Sequence, residues 1–279
     1  MAEALHGLSY DPLAGRLFAG RSPAELADLA DWVSTRDPYG ELPRLRAALH
    51  RVDPADDDLR GHVAHQLRCA WRQAGWTAGT ARPLPAAVAS GGQWPAETRG
   101  RPTVLVAPMT VAAPDALHTL AGVFGDRPLV AFGEEPTPRY GSSVPVVGGD
   151  VGSIRRILAG LAAGGVLCTY ADFVYSGRDA EPATLFGRAR PLSSGFVAVA
   201  ARPGTMLLPT VMTYTPDGRI AMDFDEPLLV EGLPGDARQA RAAMRDLITG
   251  LLEDLIRRNP QQWLLLPTLA FDSPQLARI

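Results

Sequence analysis

The sequence predicts an α/β fold, with a mostly parallel central sheet flanked by helices and a helical N-terminal region in front of it. Three observations predict this. From residue 102 onward, short apolar runs alternate with stretches of helical periodicity, the pattern of strands linked by crossover helices. Before residue 77 the periodicity is helical throughout. Between the two lies a Pro-, Gly- and Ala-rich stretch, residues 77–102, which reads as a surface linker. The chain therefore divides into a helical region with linker, 1–100, and an α/β core, 101–279, together one structural domain of a size that buries most of its surface.

Each element has a local reason. Ser22, Pro23 and Glu25 supply an N-cap, a first-turn proline and an acidic first turn, and Leu26, Leu29, Ala30 and Val33 continue at helical spacing. A second helix is expected over 42–50. The acidic run 53–58 suits the positive end of a helix dipole, and the helix it opens runs over 59–74. Strands are expected at 103–107, 128–132, 142–147, 165–170, 206–214 and 219–224, the last two joined by a turn at Asp217-Gly218. Helices are expected at 114–124, 151–163, 193–201 and 236–258. The last is amphipathic, with Met244, Leu247, Leu251 and Leu255 on one face.

Composition narrows the chemistry. Of 279 residues, 46% are hydrophobic and 20% charged, which excludes disordered and fibrous classes. The net charge of -3 gives no footprint for nucleic acid. All 27 basic residues are arginine, so Schiff-base and other lysine-dependent mechanisms are excluded. Codon bias in a GC-rich genome accounts for the missing lysines and for the 28 Gly and 25 Pro. The two cysteines, Cys69 and Cys168, stand in no metal-ligand or CxxC spacing, and Cys168 reads as a buried small hydrophobe. No apolar run approaches the roughly 20 residues that span a bilayer, and no signal peptide is visible, so a soluble cytoplasmic protein is expected.

Four segments in the second half carry a resemblance. Asp172 ends a strand within Tyr170-Ala-Asp172-Phe, and Leu185-Phe186-Gly187 follows about 14 residues later. A small-residue helix after Pro191 leads to Pro209, and the long C-terminal helix closes on Ile256-Arg-Arg-Asn-Pro260-Gln-Gln-Trp263. This order resembles the lysophospholipid acyltransferase superfamily, in its late lipid A and phosphatidylinositol mannoside acyltransferase branch, over roughly residues 100–265. The resemblance implies transfer of an acyl group from a thioester donor, with acyl-CoA or an acyl or amino carrier protein as partner. It also implies a His-x4-Asp/Glu pair after the first core strand, whose imidazole takes the proton from an acceptor hydroxyl. Here that segment has Thr110 and Asp115 at the x4 spacing, and no histidine at its start. His118, one turn beyond Asp115, is the only imidazole within reach.

The candidate site follows from these segments. Asp115 and Asp172 are the expected catalytic carboxylates. Thr110, His118, Glu134, Arg139, Tyr170 and Arg188 are the expected substrate contacts, and neither metal nor cofactor is expected. Each has a structural alternative. Asp115 either stabilises a helix N-terminus or stands at the mouth of a cleft. Asp172 either caps local amides or points into that cleft. Arg139 and Arg188 are surface residues or forks for phosphate or sulfate. Glu134 lines the cleft or is solvated. Trp263 reads as a core aromatic, and His62 and His65 as part of a solvated, arginine-rich helix face. The cleft itself is expected where residues 107–115 meet the strand ends at Phe132 and Asp172.

The expected function is acyl transfer on a thioester- or carrier-bound small substrate, in bacterial specialised metabolism, without the family's histidine. Two alternatives stand beside it. One is intramolecular displacement on a carrier-bound amino acid, closing an aziridine-type ring with loss of sulfate or phosphate. The other is a non-catalytic partner of another enzyme, with a degenerate acyltransferase fold.

Overall fold

The computed structural model describes residues 18, 20–38, 40–88, 98–125, 127–132, 144, 146–147, 151–173 and 180–270. Three helices open it: α1 (Pro23–Arg36), α2 (Leu42–Val52) and α3 (Leu59–Thr77). The α1 start is the capping box that Ser22 and Glu25 foretell: the Ser22 side chain accepts from the Glu25 amide, and the Glu25 carboxylate accepts from the Ser22 amide at 2.7 Å. At α3, Asp58 accepts from the Gly61 amide at 2.7 Å.

The apolar faces of these three helices close on a cluster of their own, including Leu26, Val33, Leu45, Val63 and Leu67. A larger cluster holds the sheet and its helices, and it takes in Leu49 and Val52 of α2 and Cys69 of α3. Thus α2 and α3 are buried on two sides.

Among the described residues the main sheet has eight strands and is mixed but mostly parallel. They are β1 (Ala86–Val88), β2 (Thr103–Val106), β3 (Leu129–Phe132), β4 (Val146–Val147), β5 (Val166–Cys168), β10 (Met206–Tyr214), β11 (Ile220–Phe224) and β12 (Leu228–Leu229). Along the path β1-β11-β10-β2-β5-β3-β4, the strands from β10 to β4 are parallel to their neighbours. Helix α4 (Ala113–Val123) leads from β2 to β3, and α5 (Val151–Ala162) leads from β4 back to β5. Strand β10 is buried at every position, as a strand in mid-sheet must be. It turns antiparallel into β11 through the expected Asp217-Gly218 turn, where Gly218 adopts φ +83.

Several elements go beyond the sequence reading, among them β12, which pairs with β10, and the helix at Pro267–Ala270. Residues 86–88 of the expected linker form β1, because the outer edge of β11 offers unpaired backbone groups and this short stretch runs parallel along it. Residues 180–193 also form two small antiparallel pairs. One joins β6 (Ala180–Glu181) to β9 (Leu192–Ser193), and the other joins β7 (Thr184–Leu185) to β8 (Arg188–Ala189). The chain then enters α6 (Ser194–Ala200), whose N-cap Ser193 is the serine that the sequence marks. Helix α7 (Ala237–Arg257), a 3-10 turn at Pro260–Gln262 and α8 (Pro267–Ala270) complete the described chain. No helix among the described residues is long and apolar enough to cross a membrane.

Candidate functional site

Adjacent strands β2 and β5 end side by side, and a bridge between Ala107 and Tyr170 carries their pairing one step further. The loop after β2 then crosses the strand ends and is itself buried: Met109, Thr110, Val111 and Ala112 are all inaccessible. A buried loop has to satisfy its backbone, and here side chains do so. The Tyr170 hydroxyl donates to the Val111 carbonyl at 2.7 Å, and the Tyr214 hydroxyl accepts from the Ala112 amide at 3.1 Å. The Thr110 hydroxyl donates to the Met212 carbonyl. Where the sequence predicts a cleft, residues 109–112 of this loop are buried. Glu134 and Arg139 lie outside the described residues, so their place in the expected site does too.

Asp115 sits in the first turn of α4 and is 1% exposed. Its Oδ2 accepts from Arg72 Nε at 2.8 Å and from the Tyr214 hydroxyl at 2.7 Å. Its Oδ1 accepts from Arg72 Nη2 at 2.5 Å and from the Trp76 indole at 2.8 Å. Four donors meet the four lone-pair positions a carboxylate has. Burial works against the Arg72 charge, but the hydrogen bonds and charge of Asp115 outweigh it and raise the Arg72 pKa. Burial, with Cys69 and Asp115 beside it, pushes the Tyr214 phenol well above its ordinary range. This is the geometry of a structural anion that ties α3 to α4 and β10. His118 lies near it but stacks on Trp76, with ring centroids 4.6 Å apart and planes 12° from parallel.

The partners of Asp115 on α3 share a stripe with His62 and His65, the two residues expected on a solvated face. His62, His65, Cys69, Arg72 and Trp76 are spaced by three or four residues, so they share one helix face. That face turns inward. His62 Nδ1 lies 3.0 Å from the Gln261 carbonyl, and Gln66 donates to the Leu264 carbonyl at 2.9 Å. Burial pushes His62 down to about 4 and His65 down to about 3, so both are neutral at pH 7. The solvated-face reading is corrected here: helical spacing alone marks a stripe, and only the neighbouring elements decide whether it meets water. Cys69 Sγ is 3.5 Å from His65 Nε2, but burial raises its thiol far above neutrality, so the pair holds no thiolate.

Asp172 stands apart from this group, just after β5, and is 3% exposed. Its two oxygens lie 3.0 and 3.2 Å from the Met109 amide, and Oδ2 also accepts from the Trp263 indole at 2.7 Å. Burial raises its pKa to about 6, against the opposing pull of Trp263, Met109 and Arg190. Arg190 is itself buried, which lowers its pKa, and the Asp172 charge counters that. Asp172 thus has a proton to gain or lose near neutrality, with acceptor capacity left over.

Residues 107–112, 170–173 and 256–263 meet at Asp172, and residues 185–188 join them through Phe186 against Trp263. Trp263 is fully buried, its ring centroid 5.7 Å from that of Phe186. The Leu264 amide donates to the Met109 carbonyl at 2.9 Å. Phe186 and Gly187 form the two-residue turn between β7 and β8, both with positive φ (49 and 73), as a type I′ hairpin requires. For phenylalanine that backbone is strained. Three contacts hold it: the Phe186 amide donates to Glu253 at 2.6 Å, its ring packs beside Trp263, and the Arg257 guanidinium lies over it at 5.2 Å. Arg188 follows in the same hairpin, half-buried. Sequence reasoning missed Arg190, Trp76 and Tyr214; the i, i+4 step from Arg72 to Trp76 was the one available signal.

No family model matches the chain, and no curated protein matches it. Among the described residues no group of three or more His, Cys, Asp or Glu side chains is placed to hold a metal ion.

Proposed function

We propose that the chain transfers an acyl group from a thioester donor to a hydroxyl or amine acceptor, with the Asp172 carboxylate as proton acceptor in place of the imidazole. The observation that carries this reading is the meeting of three distant segments, 107–112, 170–173 and 256–263, at one buried carboxyl raised to about 6. The acceptor oxygen or nitrogen attacks the thioester carbonyl, its proton passes to Asp172, and the C–S bond breaks as the acyl bond forms. The departing thiolate takes that proton. A base titrating near the working pH suits this task, because it is both ionised and strong enough to bind the proton. Acyl-CoA or an acyl carrier protein supplies the thioester, so the protein works in the cytoplasm, in bacterial specialised metabolism. Asp115 serves the architecture, since its lone pairs are engaged.

The test is release of free thiol from a panel of acyl-CoA and acyl-carrier-protein donors, offered with hydroxyl and amine acceptors. Activity with a kcat/KM that falls below about pH 6, and that Asp172→Asn abolishes in a folded protein, supports the reading. No thiol release with any pair overturns it. That outcome favours a second reading, a non-catalytic partner subunit, to which the full engagement of Asp115 and the closed loop 109–112 already point.

A further inference from the structure

A cavity of about 190 Å³ opens on the face of the sheet where α5 and α6 pass over β5. Its walls are apolar: Ile154, Ile157 and Leu158 from α5, Leu167 from β5, Phe196 and Val199 from α6. Ile154 is one of four large hydrophobic side chains exposed among the described residues, at 42%. Arg202, just past the end of α6, is the only charged residue among the described residues of the lining. It makes no side-chain hydrogen bond or ion pair among the described residues. An apolar recess next to a cation without a counter-ion among the described residues has the two ends of an amphipathic anion written into it.

We propose that this cavity binds a medium-chain carboxylate, its hydrocarbon in the apolar recess and its carboxylate on Arg202. Size sets the chain length. A dry apolar cavity of about 150 Å³ takes benzene, so by proportion about 190 Å³ holds roughly seven or eight carbons. Chemistry sets the head. A guanidinium accepts a carboxylate as a two-toothed fork and repels an ammonium. The cavity is walled by none of the segments that meet at Asp172, so the site stands whether or not the chain transfers acyl groups.

Titration calorimetry of the full chain with butyrate, octanoate, palmitate, octanol, octylamine and octanoyl-pantetheine tests this. Octanoate should bind at least tenfold more tightly than butyrate, palmitate, octanol or octylamine. Arg202→Gln should weaken octanoate about tenfold while leaving octanol unchanged. Ala198→Phe, which fills the recess, should abolish binding of both in a protein with an unchanged melting curve. Equal affinity for octanoate and octylamine, or octanoate binding that survives both variants, overturns the proposal. So does the absence of octanoate binding. Tighter binding of the thioester than of octanoate also overturns it, by showing the recess to be an acyl-donor pocket. Octanoate binding without thiol release would leave this site in place and remove the acyl-transfer reading.

Discussion

Replacing Asp115 by asparagine should cost this protein stability before it costs it anything else. The side chains of Asp115 and Arg72 are 0% and 8% exposed. Asparagine keeps the shape but exchanges one acceptor oxygen for an amide that only donates. At the Oδ1 position it would face Arg72 Nη2 and the Trp76 indole, neither of which can accept. It must therefore sit at the Oδ2 position, where it loses Arg72 Nε and forces the Tyr214 hydroxyl to turn from donor to acceptor. The Arg72 charge is then left buried without its counter-ion. Breaking a buried pair from one side costs about 3–5 kcal/mol, which lowers Tm by roughly 6–20 °C in a chain of this size. Differential scanning calorimetry reads this directly. The double variant Arg72→Met with Asp115→Asn removes the orphaned charge, so its loss should fall short of the sum of the single losses by about 2 kcal/mol. A single Asp115→Asn variant melting within about 2 °C of wild type would refute the structural reading and return Asp115 to the candidate catalytic groups.

Acid should destabilise the protein well before the surface carboxylates titrate. His62 and His65 are held below their ordinary value, at about 4 and about 3, so the unfolded chain gains their protons first as pH falls below 6.5. Asp172, raised to about 6, acts the other way: its contribution is present at low pH and is lost as pH rises from 3.8 through 6. Between pH 6.5 and 4 the histidines cost about 5 kcal/mol and Asp172 returns about 2, a net loss of roughly 3 kcal/mol. Urea midpoints across this range check it, and a flat profile would show that the histidines are solvated after all. Gly187→Ala should cost about 1 kcal/mol, seen as a small drop in Tm, because its φ of +73 is strained for alanine although nothing lies within 4 Å of an added Cβ. His118→Ala should cost about 1 kcal/mol through the lost stack on Trp76 and leave any thiol release intact, which a thermal melt and the donor panel measure together.

The sequence by itself determined the helices and most sheet strands from the N-cap at Ser22 to the turn at Gly218, because each rests on neighbours within a few residues. Periodicity, caps and turn glycines are local, and local physics is written in local order. It also excluded lysine chemistry outright. What it left to the tertiary structure is every question of which side of an element meets water. The stripe His62, His65, Cys69, Arg72 and Trp76 reads as polar in one dimension, yet α4, β10 and the 260–262 turn cover it. Asp115 and Asp172 look alike in sequence, each a carboxylate close behind a strand. Four donors, contributed from residues 72, 76 and 214, make the first a tie between α3, α4 and β10. Burial raises the second to about 6, against the pull of one indole, one amide and a buried arginine. The partners that separate them lie up to about a hundred residues away in the chain. Burial and hydrogen bonding set the proton affinity of a carboxyl, and both belong to the packed molecule rather than to the order of its residues.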